Sequence, residues 1–145
     1  MKYILSLFVS LALVASPALA QTPGKIFSKS FNADGVSKIK FELPGAVDLK
    51  IWNHPTIRIE IVVVMPAGNE SMLDQLAKVG RYDLKSDLNA DVLTISAPNL
   101  HRVVKVKGEE LRETVTYVVF MPKDIEVEIA SALAAPGVVG LQKKP

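Results

Sequence analysis

The stretch "KIKFELPGAVDLKIWNHPTIRIEIVVV" (residues 38–64) decides how this chain folds. Apolar and charged residues alternate along three successive runs. Ile39, Phe41 and Leu43 alternate with Lys38, Lys40 and Glu42; Val47, Leu49 and Ile51 alternate with Asp48 and Lys50. Ile57, Ile59, Ile61 and Val63 then share one phase. A period of two predicts strands with one buried face, because successive side chains on a strand point to opposite sides. Pro44-Gly45 and the corner "WNHP" (residues 52–55) break the runs as turns. Asn tolerates left-handed backbone there and Pro presets φ. At the far end Val62 and Val64 fill the polar phase too, which predicts a part buried on both faces.

Working outward, the same period recurs. "KIFSKSF" (25–31) places Phe27 and Phe31 on one face, and "RYDLKS" (81–86) points Tyr82 and Leu84 one way. "DVLTISA" (91–97) sets Leu93, Ile95 and Ala97 together. "RVVKVKG" (102–108) is short and basic, while "LRETVTYVVFM" (111–121) keeps Leu111, Val115, Tyr117, Val119 and Met121 in phase. "DIEVEI" (124–129) sets Ile125, Val127 and Ile129 against three carboxylates. One segment has a helical pattern instead, over about residues 70–79. Ser71 is its candidate N-cap with Asp74 three residues on, Leu73 and Leu76 form its apolar stripe, and Gly80 follows its end. The fold class is therefore all-β: a two-sheet sandwich or short β-stack of about nine strands with one short helix. A single domain over 25–130 accounts for the pattern. The remainder, "SALAAPGVVGLQKKP" (131–145), loses the period and is expected to be a disordered tail.

The corner at Trp52 raises a pairing problem. A tight hairpin that keeps both apolar sets on one face must oppose Ile51 to Ile57 and Leu49 to Ile59. Lys50 then faces Arg58 and Asp48 faces Glu60, which is unfavourable. An arch carrying the second strand into a facing sheet avoids this, and it is the preferred expectation. Trp52 shares the phase of Asp48 and Lys50, so it is either exposed or covered by something other than the core.

The first twenty residues, "MKYILSLFVSLALVASPALA", have the three parts of a cleaved signal peptide: Lys2, an apolar run, and small residues at Ala18 and Ala20. The run is too short to span a bilayer and Pro17 interrupts it. Export to the periplasm or the cell surface follows, and no later segment reads as a transmembrane helix. The chain has no Cys, so packing and not disulfides must hold it. Seventeen basic residues, one of them Lys2, face 15 acidic ones, which gives no electrostatic case for nucleic acid.

Few residues suggest chemistry. His54 and His101 are the only histidines and lack the spacing of metal ligands. Asp87, Asn89 and Asp91 match the first half of a calcium loop, but Val92 stands where glycine should follow, so a polar hairpin loop is the plainer reading. Glu113 shares the apolar phase and is expected to be partly buried and paired with Lys or Arg. There is no Gly-x-Ser-x-Gly elbow, phosphate loop or Cys nucleophile. Arg102, Lys105 and Lys107 are read as a charged edge strand that resists aggregation, or as a contact for anionic surface polymers. Together with Trp52 and His54 they are the candidate binding residues; no cofactor and no catalytic residue is assigned.

"KIKFELPGAVDLKIWNHPTIRIEI", "LAKVGRYDL", "LTISAPNL" and "ETVTYVVFMPKDIEVEI" together resemble exported Bacteroidota proteins related to auto-transporter adhesin head (GIN) domains. That resemblance implies a stacked-β fold and no established activity. The chain lacks the repeated Gly/Asn-rich turns of a long solenoid. The expected function is a non-enzymatic, envelope-associated or adhesin-like binding domain, whose partner is an envelope polymer or protein. The alternatives are a small periplasmic ligand carrier and a carbohydrate-active or metal-dependent enzyme. Amino-terminal sequencing of the protein recovered after expression with its leader checks the first step: it should begin at Gln21.

Overall fold

The computed structural model describes residues 22–130; the signal peptide and the tail expected from the sequence lie outside them. Ten strands and one α-helix follow in order. They are β1 (Gly24–Asn32), β2 (Lys38–Glu42), β3 (Ala46–Ile51), β4 (Thr56–Val64), α1 (Glu70–Lys78), β5 (Lys85–Asn89), β6 (Val92–Ser96), β7 (Lys105–Val106), β8 (Glu109–Glu110), β9 (Thr114–Met121) and β10 (Glu126–Ile129). A single 3₁₀ turn spans Pro98–His101. One four-stranded sheet has the order β1-β4-β9-β3, the other β10-β2-β6-β5, and β7-β8 is a separate two-residue hairpin. The all-β, two-sheet reading holds, with one strand more than the pattern suggested.

The corner is neither a hairpin nor an arch. β3 and β4 belong to the same sheet, but β9 lies between them, parallel to β3 and antiparallel to β4. The chain steps across the end of β9 at residues 52–55, and the Trp52 backbone N–H donates to Met121 O at 3.0 Å. Insertion of a third strand removes the like-charge opposition that a hairpin would create. Asp48 and Glu60 now flank Val118, and Lys50 and Arg58 flank Phe120.

The phases set by the sequence decide which faces meet. Ile57, Ile59 and Val63 of β4 are fully buried, with Ile61 nearly so, and across from them lie Ile39 and Phe41 of β2 and Ile95 of β6. Burying each such side chain contributes roughly 1.5–3 kcal/mol. Tyr117, Val119 and Met121 complete the interior, so the space between the sheets is filled by side chains. Outer faces keep the charges: Lys38 reaches Glu128 at 2.8 Å, and Lys40 reaches Glu42 at 2.9 Å. β3 obeys its phase but not its expected burial. Leu49 is 37% exposed and Ile51 62%, because β3 is an edge strand with no other described strand beyond it.

The two ends of the sandwich differ. At the β1 side, Leu73 of α1 is buried, Phe27 stacks on Tyr82 at 5.1 Å, and Lys29 Nζ donates to Leu84 O at 2.8 Å. Lys25 and Asp74 form an ion pair that ties β1 to α1. The helix cap is not Ser71. Asn69 is the N-cap and its side chain accepts from Met72 N at 2.8 Å, which leaves Ser71 exposed in the first turn and Asp74 free to pair with Lys25. At the other end Gly80 does follow the helix as expected. Its φ is +79°, and bonds from Gly80 N to Ala77 O and from Arg81 N to Leu76 O close a Schellman motif. Tyr82 and Leu84 are buried as expected, but from the turn before β5 and not from a strand.

Gly45 shows how tightly the β2–β3 link is fitted. A Cβ there would lie 2.3 Å from Val115 O and 3.3 Å from the Tyr117 ring. By contrast, a Cβ on Gly35, in a turn with φ +73°, would meet nothing within 4 Å. Gly45→Ala should therefore destabilise by about 3 kcal/mol or more through overpacking, and Gly35→Ala by only about 1 kcal/mol through its left-handed backbone. Urea unfolding midpoints of the two variants check the difference.

Candidate functional site

Helix α1 ends in a motif that turns Arg81 inward, and the most buried charges of the described residues meet there. Arg81 is 8% exposed. Its Nε donates to Glu113 Oε1 at 2.7 Å, and Nη2 forms an ion pair with the same oxygen. Nη1 donates to Arg102 O at 3.0 Å and Asn99 O at 3.4 Å. The Tyr82 hydroxyl donates to Glu113 Oε2 at 2.8 Å, and Asn99 Nδ2 donates to Gly80 O at 2.8 Å. Glu113 is thus partly buried and paired with Arg, as its phase implied. Each charge of the pair meets several partners, the condition under which a buried ion pair can be tolerated. Burial first, and the negative Glu113 second, raise the Tyr82 phenol far above its ordinary value of 10.0. Tyr117 is raised in the same direction, by burial and then by Glu113, and its buried hydroxyl has no hydrogen-bond partner.

The cluster anchors the hairpin that forms one wall of a groove. Glu113 lies just before β9, and Leu111 N donates to Val104 O at 2.8 Å to close the base of the β7–β8 hairpin. The hairpin turns at Lys107-Gly108 with φ of +51° and +83°, the pair of positive values that a two-residue turn matched to strand twist requires. Opposite it stand Met65, Ala67, Asn69 and Met72. Between these walls is an open groove of about 1020 Å³, rimmed by Lys107, Glu109, Glu110 and Arg112. A second cleft of about 670 Å³ lies at the other end of β9, lined by Trp52, His54, Pro122 and Lys123 among others.

The five candidate binding residues fall into two groups. Trp52 and His54 lie together at the corner, rings 4.8 Å apart, and Trp52 packs on Phe120 at 5.5 Å. The indole N–H is spent on Thr56 O at 2.8 Å, so half-buried Trp52 acts chiefly as a brace. Arg102, Lys105 and Lys107 lie on the arm leading to and forming the hairpin. They are not the edge strand of a main sheet: the run forms only a two-residue strand, because Gly108 turns it back on itself. Lys107 lines the groove. The two groups are roughly 23 Å apart along the length of β9. Asp87 and Asn89 lie on exposed β5; Asp91, beyond the positive-φ Ala90, accepts from Ser37 Oγ, which holds its carboxyl below the usual range. The described residues contain no group of three or more His, Cys, Asp or Glu placed to hold a metal ion. Sequence reasoning did not assign Met65, Met72 or Arg112 to a groove, because strand phase says nothing about which loops face one another.

The sequence has three tyrosines, so a protein beginning at Gln21 keeps only Tyr82 and Tyr117. Both phenols are raised when folded, so their stabilising contribution is complete below the unfolded value of 10.0 and is lost as pH climbs beyond it. Ultraviolet difference absorbance should therefore show no tyrosinate through pH 10, then its appearance together with unfolding. Titration of one tyrosine at its ordinary value without unfolding would contradict the buried cluster.

No family profile and no curated protein matches the chain. Solved structures are similar at low identity. A protein provisionally named a cell adhesion protein from Clostridium sporogenes matches with TM-score 0.40 and 18% identity, over 73% of this chain and 45% of that one. Proteins provisionally named adhesins match from Parabacteroides merdae (TM-score 0.34, 22% identity, 72% and 35% covered) and Parabacteroides distasonis (0.29, 21%, 66% and 32%). The chain thus spans less than half the length of these three structures. The likeness is one of strand arrangement and carries nothing about what this chain binds.

Proposed function

We propose that the protein is an exported, non-catalytic binding domain of the cell envelope, adhesin-like in role, with the groove between the β4–α1 loop and the β7–β8 hairpin as its contact surface. The groove itself carries this reading. Half-buried Met72 gives its wall an apolar, adaptable side chain, since an unbranched thioether repacks around different shapes, while Met65 itself is buried in the core. Its rim mixes Lys107 and Arg112 with Glu109 and Glu110. That combination suits a protein segment carrying apolar and charged side chains better than a uniformly anionic polymer. The saturated Arg81–Glu113–Tyr82 cluster anchors the two flanks of the hairpin, at Arg102 and Glu113, before any ligand arrives, which lowers the ordering cost of binding. The same saturation argues against catalysis by these groups, whose donors and acceptors are already committed to one another. A carrier with its ligand between the sheets is disfavoured by the filled interior. Export rests on the leader sequence.

Purified protein should bind isolated envelopes of its source organism. The Lys107→Glu/Arg112→Glu double variant should bind at least ten-fold more weakly, a loss of about 1.4 kcal/mol or more, while Trp52→Phe binds as the parent does. Turnover of a substrate in a broad hydrolase panel, or unchanged binding by the double variant, would sink the reading.

A further inference from the structure

The capped and uncapped ends of the sandwich invite a question about β3. The end at β1 is closed by α1, Tyr82 and Leu84. β2 leads directly into β3, and β9, the neighbour of β3, leads into β10, so β3 and β10 are the edges of the opposite end. Their inward side chains are incompletely covered: Leu49 37%, Ile51 62% and Ile129 44% exposed. The hydrogen bond from Trp52 N to Met121 O sets the backbone alternation of β3. Ala46, Asp48 and Lys50 bond toward β9, and Val47, Leu49 and Ile51 turn their N–H and C=O groups to the edge that no other described strand occupies.

We propose that this edge is the interface for a second copy of the chain, joined by antiparallel pairing of β3 with β3 about Leu49. The sequence Val47-Asp48-Leu49-Lys50-Ile51 is complementary to itself when reversed. Pairing about Leu49 sets Leu49 against Leu49, and Val47 against Ile51, of the second copy. All of these residues have free edge groups, so every facing pair can exchange two backbone hydrogen bonds. Asp48 falls opposite Lys50 of the second copy and Lys50 opposite its Asp48, on the outer face, where Lys50 already lies over the Phe120 ring at 5.6 Å. Moving the centre by one residue fails on charge, because it opposes Asp48 to Asp48 or Lys50 to Lys50. β10 offers no equivalent. Glu126 N and Ala130 N bond to β2, so Val127 and Ile129 carry the free groups, and pairing them brings Glu128 against its own copy. The arrangement has two-fold symmetry, covers the exposed inward side chains of β3, and joins the four-stranded sheets of the two copies edge to edge.

Sedimentation equilibrium of the purified protein tests this, with hydrogen exchange read at β3. The parent should be a reversible dimer with protected amides at Val47, Leu49 and Ile51. Lys50→Asp should raise the dissociation constant at least ten-fold, and Asp48→Lys combined with Lys50→Asp should restore it, because the swap recreates opposite pairs. Leu49→Pro should give a folded monomer, since the Leu49 N–H faces away from β9; unchanged circular dichroism verifies the fold. A parent that stays monomeric at all concentrations overturns the proposal. So does a dimer indifferent to Lys50→Asp, or a monomer whose β3 amides are protected and lose that protection in a chain ending at Ala130, which would assign the edge to residues 131–145.

Discussion

The position of β9 between β3 and β4 is the constraint on which the rest depends. A strand read late in the chain fills a gap between two strands that are neighbours in sequence, so the first sheet exists only when residues far apart have met. Its two pairings differ in direction, parallel to β3 and antiparallel to β4, and both faces of the strand are used. Tyr117, Val119 and Met121 enter the core, while Val118 and Phe120 separate charges that would otherwise oppose. Contacts of such sequence separation are costly in loop closure and slow to form. β1–β4 and β5–β6 are available earlier, whereas β3 has no partner until β9 arrives.

Stability is distributed unevenly along the sandwich for the same reason. At the α1 end, the core is sealed by stacking, helix capping and the buried Arg81–Glu113 ion pair. At the β3 end, no described element lies beyond the edge strands. The Arg81–Glu113 pair is the deepest charge of the described residues, and it joins three segments: the turn after α1, the 3₁₀ turn, and the approach to β9. Removing one partner would leave the other charged and buried, which is far costlier than the pair itself is stabilising.

What the residues disclosed follows from which forces are local. Strand phase is local, and it placed Ile57, Ile59, Leu93, Ile95, Tyr117 and Val119 inside and Lys40 and Glu42 outside. Partial burial of Glu113 and its pairing with a basic residue were legible for the same reason, though not that the partner is Arg81. The order of strands was not legible, because Leu49 pairing with Val119 leaves no trace in the periodicity of either strand. The charge conflict at the Trp52 corner weighed against a hairpin, yet pointed to the wrong remedy: a facing sheet in place of an inserted strand. Asn69 and Ser71 are both competent caps, and the choice between them rests on where the chain leaves its extended path after Pro66. The groove was least legible of all, since it is made by two loops whose apposition is decided by tertiary packing.

Trp52, the only tryptophan of the chain, ends up at the crossing of β3, β9 and β4, between His54 and Phe120. Its backbone and its indole each donate to a different neighbouring segment, at Met121 and at Thr56. The protein therefore carries its own optical reporter at the junction of three strands. Its environment depends on β3, β9 and β4 being in place together, and it can be read without any label.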